Sequence, residues 1–332
     1  MNKETFLQKL TENLVSLNTE EREKVIAYYS EMISDKVENG AAEDAVIQDL
    51  GSPSEIAQQI CAEYKKAADS LSTKNTGITN PEPSRYTAEG DIKTIIVSAQ
   101  NIHVDVRSVP AEKVRVLFDP LPTDKVSVSE ADGVYTFIHS IPFHLFNWFG
   151  LFHAHGGITL EIPETFSGDV SVRTDNARLI IENLRHLKSG SFTTDNARIV
   201  VSGTECENLG VYTANGKVEL ENCTGQTCKV KTSNGRITAY SCTFPGGFDL
   251  HTDNASINAD LVKADTIIFK TNNGSINALI AGDARNYAIH SHTSNGQNTL
   301  PADWTFPGQT KQLSAETNNA HIAVKFTEGG MR

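Results

Sequence analysis

Apolar and polar positions along the chain follow two different rhythms. Up to residue 68 apolar residues recur at the three-to-four-residue spacing of amphipathic helices; from residue 91 they alternate in short runs, the signature of strands with one buried face. The runs are punctuated by a hexapeptide: Thr, any residue, Asn, a small residue, any residue, then Ile, Leu or Val. It reads TDNARL at Thr174, TDNARI at Thr194, TANGKV at Thr213, TSNGRI at Thr232, TDNASI at Thr252 and TNNGSI at Thr271. A weaker TSNGQN follows at Thr293 and TNNAHI at Thr317. The Asn positions step by 20, 19, 19, 20, 19, 22 and 24 residues. A period near 20 marks a repeat architecture, in which stacking neighbours bury a face that one repeat cannot bury alone.

The flanks identify the repeat. Apolar side chains stand two and four residues before the Thr, as in Val170/Val172, Leu209/Val211, Cys228/Val230, Phe248/Leu250 and Ile267/Phe269, and return three and five after the Asn, from Leu179/Ile181 to Ile276/Ala278. The alternation changes phase in between, so the chain bends at the Asn. Asn followed by Gly or Ala suits such a corner through its tolerance of left-handed backbone angles, which are therefore expected there. Each repeat supplies two strands, and each strand is expected to pair in parallel with its copy in the next repeat. Stacking at about 4.8 Å would let the amides of Asn176, Asn196, Asn215, Asn234, Asn254, Asn273, Asn295 and Asn319 hydrogen-bond as a structural ladder, and the Thr hydroxyls do the same. Ile95, Val97, Ala99, Asn101, Val104 and Val106 reproduce the spacing of an earlier repeat, and Val126, Val128, Asp132, Tyr135 and Phe137 read as a degenerate one.

In the first regime Phe6, Leu10 and Leu14 form the stripe of a first helix. Asn18 with Glu21 opens a second helix, which carries Val25, Ile26, Tyr29, Met32 and Ile33 and ends at Asn39-Gly40. A third runs from Ala42 to Leu50 and stops at Gly51; Ser52, Pro53 and Glu55 start a fourth that continues to Ala68. Residues 69–90, rich in Ser, Thr, Asn and Pro, read as a linker. The fold expected is α+β in two domains: a small four-helix domain at 1–68, then a right-handed parallel β-solenoid (β-helix) of 19–20-residue repeats at 91–328.

Charge and cysteine content narrow the function classes. A formal charge of -12 argues against a sequence-independent grip on nucleic-acid phosphates. No stretch approaches the ~20 apolar residues of a membrane span, and MNKETFLQKL lacks the apolar run of a secretory signal, so a cytoplasmic location is expected. Cys223 and Cys242 sit eight residues after their Asn, with Cys206 near that place; Leu184, Val262 and Ala281 occupy it elsewhere. Cysteine there reads as a small core residue. An odd count of five, with Cys61 alone in the helical segment, gives neither a disulfide framework nor a metal site.

One stretch breaks the rhythm, IPFHLFNWFGLFHAHGG at 141–157. Its Phe143, Phe146, Trp148, Phe149 and Phe152 make a candidate interaction loop, read as a cap over the solenoid or as a patch docking on a partner or a membrane surface. A metal site on His144, His153 and His155 is disfavoured because no carboxylate or cysteine accompanies them. Outward Asp175, Asp195 and Asp253 are expected to neutralise outward Arg178, Arg198, Lys217 and Arg236 along the sheet, with an anion- or sugar-binding stripe as the alternative. No nucleophile elbow, phosphate loop, HExxH or dinucleotide fingerprint occurs, so no catalytic residue and no cofactor is assigned.

The N-terminal segment carries Phe6-Leu7, Leu10, Glu20 to Glu23, Tyr28-Tyr29, Asp35, Glu38, Gly40 and the run LGSPSEIA from Leu50 to Ala57. In these it resembles the HAAS-type helical domain of bacterial signalling proteins, whose members are often encoded beside PadR-like transcription regulators and often continue into membrane helices. No such helix follows here. From Asp91 the T-x-N-G-x-I repeats resemble the bacterial "putative adhesin" family, a domain of unknown function. Together the resemblances imply a non-enzymatic bacterial signalling or regulatory accessory protein. Its helical domain would bind a protein partner such as a PadR-like regulator, and its solenoid would act as scaffold or ligand surface. The alternative is an adhesin-like or carbohydrate-binding module at the cell envelope, its glycan or small-molecule ligand unknown.

Overall fold

The computed structural model describes residues 1–17, 19–38, 40–58, 60–61, 84–120, 124–140 and 157–329. They divide into two compact units. One holds the described residues through Arg85 together with those of 118–126, 139–140 and 157; the other holds the rest.

The helical unit contains α1 (Lys3–Asn13), α2 (Thr19–Glu38), α3 (Glu43–Leu50) and α4, helical at 53–58 and 60–61. Asn2 caps α1, its side chain accepting the Thr5 N–H at 2.9 Å, a cap the sequence pattern did not flag. The expected Asn18 cap of α2 and the continuation of α4 toward Ala68 lie outside the described residues. The expected apolar stripes meet in one core, in which Phe6, Leu10, Leu14, Tyr29, Ile33 and Ile60 are all buried. The Phe6 and Tyr29 rings sit 5.9 Å apart.

The second unit is a parallel stack of two-stranded coils. Asp169–Thr174 with Leu179–Glu182 is followed by Leu187–Thr193 with Ile199–Ser202, then Cys206–Tyr212 with Val218–Glu221. Thr227–Lys231 with Ile237–Tyr240, Gly247–His251 with Ile257–Val262, and Thr266–Lys270 with Ile276–Asp283 complete six coils in sequence order. Repeats pair in register, Leu179 beside Ile199, Ile199 beside Val218 and Val218 beside Ile237. First strands fall in a twelve-stranded sheet and second strands in an eleven-stranded one. Inward side chains such as Val172, Phe192, Val211, Leu250 and Phe269 are buried between the two sheets.

At both ends the stack departs from sequence order. Thr94–Ala99 and Val104–Val109 form the coil next to Asp169–Glu182. The intervening chain supplies its cap: Ile158–Pro163 lies parallel outside Val104–Val109, with Arg115–Phe118 antiparallel beyond. Outside Thr94–Ala99 comes a hairpin of Val134–Ser140 and Lys125–Ala131. Its turn, Asp132-Gly133, has φ of 51° and 75°, the type I′ geometry that matches strand twist. The segment expected to be a degenerate solenoid repeat is therefore a hairpin, because Asp-Gly fixes a two-residue reversal rather than a corner. Ser84–Thr87, at the end of the expected linker, is a strand bordering the eleven-stranded sheet. Glu161 fastens this cap, its buried carboxylate accepting from Arg107 at 2.7 Å and pairing with Arg115 at 2.9 Å.

At the other end Lys311–Thr317 and Ile322–Glu328 stack directly on Thr266–Lys270 and Ile276–Asp283. Tyr287–Thr293, earlier in sequence, lies outside them. The expectation that each repeat pairs with the next in sequence fails here. After Asn295 the chain reads Gln297, Asn298, Thr299, Leu300 and Pro301, with no apolar alternation to build a second strand. The C-terminal coil has both strands and takes the inner slot.

The left-handed residues also stand elsewhere than expected. Asn101 has φ 56°, but from Asn176 onward the column is Asn183, Gly203, Asn222, Ser241 and Leu261, with φ between 52° and 57°, seven residues after each ladder Asn. This is the second corner, where the chain leaves the eleven-stranded sheet. Gly203 meets this φ without strain, and a Cβ there would stand 2.5 Å from the side-chain Oδ1 of Asn183. Leu261 is strained at φ 54° and 38 % exposed. Leu261→Asn should therefore raise unfolding free energy by about 1 kcal/mol in chemical denaturation; a lower value would refute strain at this corner.

Candidate functional site

The most regular surface feature is the first corner. Asn176 Nδ2 donates to Asn101 Oδ1 at 2.5 Å, and Asn196, Asn215 and Asn234 each donate to the Asn one coil before, at 2.5–2.6 Å. Asn254 and Asn273 continue at 2.7 Å. The order then follows the stack rather than the sequence: Asn319 donates to Asn273 at 2.7 Å and Asn295 to Asn319 at 2.8 Å. All the amides point one way, so the bonds polarise one another. Asn101 heads the ladder; its repeat spacing was legible, its place in the ladder was not inferred.

The Thr column does not form the expected hydroxyl ladder. Thr174, Thr194, Thr232, Thr252, Thr271 and Thr317 are buried, and each donates to a backbone carbonyl of the coil before, as Thr252 does to Gly235 O at 3.0 Å and Thr317 to Gly274 O at 2.9 Å. At Gly216, Gly235 and Gly274 the Thr three residues before accepts the glycine N–H, as Thr213 does from Gly216 at 3.0 Å. A carbonyl lies nearer than the next hydroxyl because the corners pack closely. A Cβ at Gly216 would stand 1.7 Å from Ala197 O. The same clash explains Gly235, Gly274 and Gly296.

Several charges pair along a face of the stack. Arg173 reaches Asp195 at 3.0 Å, and His251 lies 3.3 Å from Asp253, on the twelve-stranded side. Lys217 pairs with Glu219 at 2.5 Å on the eleven-stranded side. Of the residues in the two expected columns, Asp195 and Asp253 thus pair with Arg173 and His251, and Lys217 with Glu219. Lys229–Asp249, Lys270–Glu316 and Lys311–Asp265 extend the pattern at 3.0–3.3 Å.

A cavity of about 490 Å³ opens where the N-terminal cap meets the stack. It is lined by Lys93, Lys113 and Lys188 against Asp91, Glu112 and Asp169, a balanced set that favours neither sign of ligand charge. Inside the stack all the cysteines are free thiols, and Cys206, Cys223, Cys228 and Cys242 are buried. Burial pushes Cys206 up to about 12 and raises Cys228 as well. A hydrogen bond shared by Cys223 and Cys242 favours a thiolate on the first and opposes one on the second, and burial opposes both. At the position eight after the Asn, Ile280 rather than Ala281 pairs with Val262, displaced by a bulge after Asp260.

Among the described residues no group of three or more His, Cys, Asp or Glu is arranged to hold a metal ion. No described helix is long and apolar enough to cross a membrane. The candidate loop with Phe143, Phe146, Trp148, Phe149 and Phe152, and the histidines 144, 153 and 155, lie outside the described residues.

Two family models match the chain: the HAAS model over residues 5–59 and the Toastrack DUF4097 model over residues 86–329. No curated protein matches it significantly. Among solved structures, a "putative cell adhesion protein" from Clostridium sporogenes aligns at a TM-score of 0.26 and 7 % identity, covering 74 % of this chain and 100 % of that one. So loose a likeness carries no functional argument.

Two outcomes test this arrangement. Asn234→Leu, which removes two ladder bonds, should cost about 1–2 kcal/mol in chemical denaturation, and Asn295→Leu, at the end of the ladder, about half as much; equal costs would mean the ladder does not stabilise as a chain. Cys206, Cys223, Cys228 and Cys242 should resist a thiol reagent until the protein unfolds, with Cys61 labelling first; prompt labelling of Cys223 in native protein would contradict the stacking register.

Proposed function

The chain belongs to the Toastrack DUF4097 family and carries a HAAS domain at its N-terminus, and from that premise we propose that it is a non-enzymatic accessory protein of bacterial signalling. In this reading the helical domain captures a protein partner and the solenoid is the rigid scaffold or ligand surface attached to it. The HAAS resemblance implies a PadR-type transcription regulator as the partner, and a cytoplasmic site of action fits the absence of an apolar signal-like run in MNKETFLQKL. The carrying observation is that residues 5–59 match a protein-interaction module and that their helices share one hydrophobic core.

Two further features support the division of labour. The helical core is small, as expected of a domain that gains stability from a partner. Its surface also displays Val15, 74 % exposed in the turn after α1, a candidate anchor. The solenoid presents side chains already paired with their neighbours, which suits a stiff spacer better than a reactive cleft.

Calorimetric titration of the full chain with a PadR-type regulator tests the assignment. Val15→Glu should weaken binding at least tenfold without changing the melting temperature, whereas Asn234→Leu should leave affinity unchanged. Binding that survives Val15→Glu and is lost on substituting Lys93 and Lys188 at the solenoid cavity would place recognition on the wrong domain.

A further inference from the structure

The sheets end differently at the two ends of the stack. At the C-terminal end the twelve-stranded sheet stops at Asp303–Trp304, only two residues long, and the start of Ile322–Glu328 in the other sheet is covered by Asn298 and Thr299. At the N-terminal end the twelve-stranded sheet stops at the seven-residue strand Lys125–Ala131, with no strand beyond it among the described residues. Ser127 through Ala131 are all exposed, Val128 by 41 %.

Edges of this length are normally blunted by lysine, proline or a bulge. In Lys125–Ala131 the one lysine stands at the very start of the strand, and Ser127–Ala131 carries neither lysine, proline nor bulge. Its one charge, Glu130, is turned back onto its own chain, where the carboxylate accepts the backbone N–H groups of Glu89 and Gly90 at 2.9 and 2.6 Å. Both carboxylate oxygens are thus already engaged as acceptors within the chain. The sequence Ser127-Val128-Ser129 also reads the same in both directions. Antiparallel pairing about a twofold axis perpendicular to the sheet requires each residue to meet one on the same face, and an axis through Val128 satisfies this.

We infer that this edge pairs with the same edge of a second copy of the chain. Val128 then meets its own counterpart, and Ser127 meets the counterpart of Ser129, so that two twelve-stranded sheets join into one. Each copy carries a formal charge of -12, so the copies repel at long range and added salt should strengthen the dimer by screening that repulsion.

Sedimentation equilibrium of the full chain, at rising protein and salt concentration, tests the pairing. The mass should climb from 36.2 kDa toward twice that value, and further at higher salt. Val128→Lys places two cations face to face and should hold the chain at monomer mass with an unchanged melting temperature. As an independent arm, Val128→Cys treated with oxidised glutathione should form a disulfide between copies, two thiols giving one protein disulfide and two reduced glutathione molecules. Ala131→Cys, far from the axis, should not. A wild-type chain at monomer mass in high salt overturns the inference and leaves the edge to a strand of a different protein. A dimer that survives Val128→Lys and fails to cross-link through Val128→Cys also overturns it.

Discussion

Every coil of the solenoid depends on its neighbours for its hydrogen bonds. Each strand's N–H and C=O groups find partners only in the coils on either side, at one register, and a polar backbone left unpaired in that position is costly. The rest follows from holding this register over many coils. Inward side chains must together fill a gap of fixed width, so the rings of Phe192, Phe248 and Phe269 share it with Val, Ile, Leu and the small thiols of Cys223 and Cys242. Corners must turn within a few residues, which selects small residues after each Asn and left-handed backbone at Asn183, Gly203 and Asn222. The Asn ladder and the buried Thr hydroxyls supply polar partners where the corner interrupts the strands.

The same constraint makes the two ends the difficult part of the molecule. A stack of parallel strands exposes an unpaired edge at each end, and each is handled with chain that leaves the repeat. At the N-terminal end Ile158–Pro163, Arg115–Phe118 and a hairpin cover the first coil, with Glu161 holding an arginine from the strand on either side of its own. At the C-terminal end the half-coil Tyr287–Thr293 is displaced outward so that the complete coil Lys311–Glu328 covers the last repeat.

Charge is arranged to serve stacking. Acidic and basic side chains pair with neighbours on the same sheet face, so a chain with a large negative balance still carries runs of locally neutral surface. Such pairs are individually weak at the surface. Their contribution is to keep like charges from facing each other at the close spacing of adjacent coils.

The sequence alone determined the two-part organisation, the parallel stack and the register of its middle coils, because a motif repeated at a near-constant step places Ile199 beside Val218 and Ile237 whatever the rest does. It determined the helical stripes for the same reason, since the spacing of Phe6, Leu10 and Leu14 fixes one face. The tertiary structure decided what the period cannot encode. Which coil covers the last repeat depends on whether a second strand exists to pair with Ile276–Asp283, a comparison of distant segments. Which corner takes left-handed angles depends on how the chain leaves a sheet, and both corners carry Asn. Whether Thr252 bonds a hydroxyl or a carbonyl depends on distances between coils. Local pattern specifies what repeats, and the pairing of distant segments settles how repetition begins and stops.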